Sequence, residues 1–136
     1  MLKKNKKFKV ACVQMNSQAN IYDNILFAKN KIIYASKKGA KLILLPENCF
    51  LMAKNNKQFL EYSCNEIKNQ GINEMKKIAK KIGVWIIIGS VNIKEKKRIF
   101  NRSILIDDKG RIKSRYRNYL ALLSRKKRSI LCFNWL

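Results

Sequence analysis

The sequence predicts a layered α/β domain built on a mixed sheet. Two stretches carry apolar residues at helical spacing, and each runs into a glycine. Two short runs are continuously apolar, as in strands interior to a sheet, and a strong turn signal joins two later strand-like runs.

Residues 8–15 read as the first strand, with Phe8, Val10 and Cys12 on one face and Ala11, Val13 and Met15 on the other. A polar connection over 16–20 leads into a helix over 21–38. Its stripe is Ile21, Ile25, Ala28, Ile32 and Ala35, and Gly39 stands at its C′ position behind Lys37 and Lys38. Residues 42–45 predict a strand buried on both faces, which Pro46 ends by removing a backbone donor. Glu47 then sits just past the carboxyl end of an interior strand, where α/β sheets favour ligand sites. Residues 50–64 read as irregular or a short helix. A second main helix follows over 72–82, with Ile72, Met75, Ile78, Ala79 and Ile82 inward and Gly83 closing it. Residues 84–88 form the next buried strand. Gly89-Ser90 permits close backbone approach, and 91–93 extends the strand after a kink. Lys94-Glu95-Lys96-Lys97 is a hairpin tip, 99–106 a strand, Asp107-Asp108-Lys109-Gly110 a turn and 111–116 the return strand. The order β-α-β-α-β followed by hairpins fits a sheet that mixes parallel and antiparallel pairs.

The chain has 136 residues, 47% of them apolar, enough for one domain with its own core. No apolar run is long enough to cross a bilayer, and no signal-type segment follows the basic start, so a cytoplasmic location without membrane contact is expected. The net charge of +23 raises the question of an anionic partner. Lysine outnumbers arginine 24 to 7, whereas selected phosphate or base recognition favours the arginine fork. The lysines are spread over the whole chain and, with the many isoleucines and asparagines, fit a biased codon supply. A nucleic-acid partner is therefore not expected, although residues 111–128 hold eight Arg or Lys and no acid. Cys12, Cys49, Cys64 and Cys132 show no metal-type spacing and there is no histidine, so no metal, no cofactor and no disulfide are expected, only buried, reduced thiols. The lack of histidine also removes every His-dependent triad.

Several segments, in order, resemble the nitrilase superfamily of carbon–nitrogen hydrolases. The opening strand Val10-Ala11-Cys12-Val13-Gln14-Met15 is similar to that of the family. So is the run from Ala35 through Gly39 to Leu44-Leu45-Pro46-Glu47. Ile88-Gly89-Ser90, then Asn101 with Ile104 to Ile112, and then Tyr116-Arg117 follow the same pattern. The surroundings of Glu47 are most similar to the branch acting on short ω-amides and deaminated glutathione. The resemblance covers residues 8–117 and implies the N-terminal portion of an α-β-β-α sandwich with a mixed sheet and two main helices. It leaves 118–136 as a divergent basic and apolar tail.

The family's chemistry, as the resemblance implies it, needs a cysteine nucleophile, a glutamate base and a lysine. A thiol attacks as thiolate, so a base must take its proton, and a carboxylate does so well when desolvated. The oxyanion formed next needs an ammonium and a backbone N–H. The resemblance assigns the base to Glu47. The lysine is expected after Arg117, but Asn118 stands there, and Lys126 and Lys127 lie eight or nine residues on. Cys132 lacks the preceding glycine and following acid of the family's nucleophile elbow, and Cys49 reads as a packing residue. The expectation is a truncated, catalytically incomplete amidase, the break after residue 117 being of the kind a frameshift leaves. Its substrate, if active, would be a small-molecule amide. Its partners would be copies of itself or a complementing second half that covers the exposed strand edges and apolar face. A non-catalytic remnant or partial subunit is one alternative, and a basic nucleic-acid-binding protein is the other.

Overall fold

The computed structural model describes residues 7–118, with the backbone alone at Asn118. Five strands and three helices follow in the order β1 (Lys9–Cys12), α1 (Ile21–Lys37), β2 (Ala40–Leu45), α2 (Asn56–Tyr62), α3 (Gln70–Ile82), β3 (Trp85–Glu95), β4 (Arg98–Ile106) and β5 (Ile112–Asn118). The sheet order is β1-β2-β3-β4-β5. The first three strands are parallel, and β4 and β5 return antiparallel. The expected mixed α/β architecture is present, with α1 and α3 as its main helices and α2 as the short one.

Side-chain oxygens start the helices. Asn20 accepts from the N–H groups of Tyr22 and Asp23, and Asn69 from that of Ile72. Gly39 and Gly83, at φ +90° and +67°, supply the left-handed turn that ends α1 and α3. The core lies between these helices and one face of the sheet, where Ile25, Ala28 and Ile32 of α1 and Ile72, Met75 and Ile78 of α3 meet Ile43, Leu45, Ile86, Ile88, Ile104 and Ile106. Ala11, Val13 and Met15 line the same side, as the alternation in β1 predicts.

The opposite face corrects two expectations. β2 is not buried on both sides: Ile43 and Leu45 are fully buried, but Leu44 is 38% exposed. Phe8, Val10 and Trp85 are exposed too. The register puts Cys12, Leu44, Ile87 and Leu105 in one row across four strands and Val10, Leu42 and Trp85 in another. The apolar run in β2 thus suits a strand covered on both sides, while the described helices cover only one. For the same reason Cys12 is exposed rather than buried; Cys64 is half-buried, Cys49 is buried, and all three are free thiols. Cys132 lies outside the described residues.

β3 also departs from expectation by running unbroken through Gly89-Ser90. The kink is absorbed as a register shift against β4 between Ile88 and Val91.

Candidate active site

Glu47 stands one residue beyond β2 and Pro46, at the carboxyl edge shared by β1, β2 and β3, and is exposed. Several contacts fix its backbone. A Cβ on Gly89 would lie 2.4 Å from the Leu45 carbonyl oxygen and 2.6 Å from the Pro46 carbonyl, so β3 approaches the segment as closely as only glycine allows. The Asn48 N–H donates to Ser90 Oγ at 2.9 Å, and Asn48 takes a left-handed φ of +47°, which asparagine tolerates better than most residues. The Ser17 hydroxyl donates to the Cys49 carbonyl. Asn24, buried in α1, donates to the Phe50 carbonyl at 2.9 Å and the Gln18 carbonyl at 2.7 Å, and accepts from the Gln18 N–H.

Beside Glu47 lies a row of asparagines. Asn92 pairs with Asn101 across β3 and β4, and Asn101 pairs with Asn118 across β4 and β5. The Asn101 amide donates to Glu47 Oε1 and to Asn48 Oδ1, and the Asn92 amide to Asn48 Oδ1, each at 3.4 Å. These are long bonds. Asn101 is buried and its Oδ1 has no partner among the described residues. Position 118 is therefore one rung from the side chain that touches Glu47.

The end of β5 is tied down from the helix side. By strand alternation Arg102 faces away from Asn101. Its guanidinium is buried and reaches Glu66 at 2.9 Å and also Glu95. Arg115 pairs with Glu66 at 2.7 Å and Arg117 with Glu95 at 2.5 Å, and the Arg117 guanidinium stacks 4.2 Å over Phe100. Hydrogen bonds from Arg115, against some desolvation, hold the Glu66 carboxyl below its ordinary range.

Two residues from Glu47, Cys49 is fully buried with its Sγ on the Ser90 carbonyl, and burial pushes its thiol far up. A thiol so placed is not a nucleophile. Lys126, Lys127 and Cys132 lie outside the described residues. The sequence reading missed the asparagine row, Asn24 and the arginine network, because each depends on register or on a partner 22 to 54 positions away. Of these residues, Asn101 carried a signal as part of the family-like hairpin and Asn118 as the residue standing where the lysine is expected.

Residues 9–125 match the carbon-nitrogen hydrolase family. The chain belongs to that family. It is 32% identical over 119 residues to nitrilase homolog 2 of Dictyostelium discoideum, covering 86% of this chain and 36% of that protein. It is 27% identical over 110 residues to omega-amidase NIT2 of Homo sapiens, covering 81% of this chain and 39% of that one. Its fold is similar to that of Saccharomyces cerevisiae Nit3, a member of branch 10 of the nitrilase superfamily, with a TM-score of 0.70 and 25% identity over 81% of this chain and 43% of the other. The C. elegans NitFhit protein shares the fold at a TM-score of 0.73 and 22% identity, over 79% and 27% of the two chains. The chain spans well under half the length of these carbon–nitrogen hydrolase relatives, and the family match runs to residue 125, past the 117 at which the sequence resemblance ends. Among the described residues no helix is long and apolar enough to cross a membrane.

Proposed function

We propose that this carbon–nitrogen hydrolase chain carries the general-base side of an amidase site for small amides, with Glu47 as the base. Residues 8–117 are the N-terminal portion of the hydrolase domain and 118–136 a divergent tail. The observation that carries this reading is the chain of neighbours Glu47–Asn101–position 118 at the carboxyl edge of the sheet. It brings the expected base and the expected lysine position together, although they are 71 positions apart in sequence. The nucleophile is assigned outside the described residues, since Cys49 is sealed in the core, Cys64 bridges to Ile93 further along β3, and Cys12 lies within β1 beside Leu44 rather than beside Glu47. The same layer that brings it would cover Leu44, Val10 and Trp85 and exclude water from Glu47. Without that layer the chain is inert, and its place is in the cytoplasm beside a complementing half or a second copy.

The test is a graft. Residues 7–118 replace the matching part of human omega-amidase NIT2, and ammonia release from a small ω-amide is followed. The graft with Asn118 is expected to be at background and the graft with Asn118→Lys to be active. A folded Asn118→Lys graft that releases no ammonia overturns the reading.

A nucleic-acid role has less support. Arg111, just before β5, and Arg115 and Arg117 within it, three of the cations that would meet phosphate, are already paired with Asp107, Glu66 and Glu95.

A further inference from the structure

Glu47 stands on an exposed turn past the end of β2, where a long carboxylate side chain has several rotamers open to it. Asn101 meets it from β4. That residue is buried, and its strand is paired on both sides, with Asn92 of β3 and Asn118 of β5. Its Nδ2 donates to Glu47 Oε1 and to Asn48 Oδ1, and the Asn92 amide donates to the same Asn48 oxygen, each at 3.4 Å. Asn48 is fixed in turn, its N–H donating to Ser90 Oγ at 2.9 Å. On the other face of β4 the next residue, Arg102, is buried and tied to Glu66 and Glu95, which keeps the strand from rolling. The Asn101 amide is therefore held from the strand side, and the freedom in the contact belongs to Glu47.

We propose that Asn101 is a positioning residue of this site: it selects, from the rotamers open to Glu47, the one that sets the carboxylate beside position 118. The inference rests on the reading of Glu47 as the base. A carboxylate can only accept a hydrogen bond and an ammonium can only donate one. An asparagine amide has both ends. It can donate to Glu47 and still offer Oδ1 to an ammonium at position 118, which strand pairing sets directly opposite. An aspartate at 101 would put two acceptors face to face, and a leucine would hold neither neighbour. The bonds to Glu47 and Asn48 are long, as contacts in a catalytic site often are before substrate arrives. Asn101 moves no proton itself. It acts through Glu47, by narrowing the search for a reactive geometry.

The first measurement uses the full 136-residue chain and leaves Asn101 in place. The Asn101 side-chain amide protons, followed by NMR, are expected to move upfield on Glu47→Gln, because a neutral acceptor replaces a charged one. Unmoved protons overturn the proposal, whether or not any graft is active. The second measurement uses the NIT2 graft with Asn118→Lys. Asn101→Leu, close to the original side chain in size, is expected to lower kcat about tenfold and to leave KM nearly unchanged. Asn101→Asp keeps the shape but turns the donor into a second acceptor, and its kcat is expected to fall as far. With Glu47→Gln already in place, Asn101→Leu is expected to give no further loss. A drop of the same size in both backgrounds makes Asn101 a merely structural residue and overturns the proposal. So does an active graft that Asn101→Asp leaves at full rate. A graft silent in its parent form speaks instead against Glu47 as the base, and the amide protons of the full chain then decide whether Asn101 holds Glu47.

Discussion

Gly89→Ala is the sharpest probe of how the Glu47 segment is held. In a strand of ordinary surroundings this change stabilises by about 0.5–1 kcal/mol, because alanine has less freedom to lose on folding. At Gly89 the added Cβ would meet the Leu45 carbonyl oxygen at 2.4 Å and the Pro46 carbonyl carbon and oxygen at 2.6 Å. These are main-chain atoms of the strand end that carries Glu47, and no rotamer change moves them aside. The contacts fall about 1 Å short of ordinary van der Waals separation, an overlap of the size that costs buried sites about 2–3 kcal/mol when the backbone must yield. Urea unfolding followed by circular dichroism is expected to show that loss with an unchanged m-value, and Tm is expected to fall by about 10 °C. In the NIT2 graft the same change displaces Glu47 and lowers ammonia release by more than the stability loss explains. A neutral or stabilising Gly89→Ala would refute the close approach of β3 to Pro46.

Asn24→Ala removes two donated bonds and one accepted bond from a buried side chain, and leaves the Phe50 carbonyl without its donor. A loss of about 2–3 kcal/mol in urea unfolding is expected. Glu74 is held down to about 2 by hydrogen bonds from Lys29 and then Lys77. A carboxyl depressed in the folded state adds stability above its unfolded value of 4.5, and that stability drains away as pH falls from there toward about 2. Glu74→Gln is therefore expected to flatten the acid limb of stability against pH, and an unchanged acid limb would exclude the ion pair as its source. Iodoacetamide is expected to modify Cys12 in the folded protein and Cys49 only after unfolding, which mass spectrometry of the alkylated peptides reports.

The two main helices were legible because their apolar stripes repeat at the helical period and their glycines sit where left-handed φ is needed. The position of Glu47 just past a strand was legible from a strand, a proline and an acid in succession, while its assignment as base rests on the resemblance alone. The open face was not, because a continuously apolar strand looks the same whether its second cover lies within the described residues or outside them. Leu44 has the composition of a core residue and 38% of its surface exposed. The asparagine row was hidden for another reason. Asn92 stands opposite Asn101 only because of the register shift between Ile88 and Val91, and position 118 joins them through the separate pairing of β4 with β5; no local pattern sets either register. Arg102 carries no local signal that sets it apart from the other cations, because its burial depends on Glu66 and Glu95 arriving from two other segments.

The most direct measurement is the rate of ammonia release by the Asn118→Lys graft with and without Glu47→Gln. The substitution keeps the shape of the side chain and the Asn101 contact, and removes only the capacity to take a proton. If Glu47 is the general base, the rate falls about a thousandfold while the substrate KM changes little. A Glu47→Gln graft that retains its rate would contradict the account, because Glu47 would then be no more than a surface acid at the end of a strand.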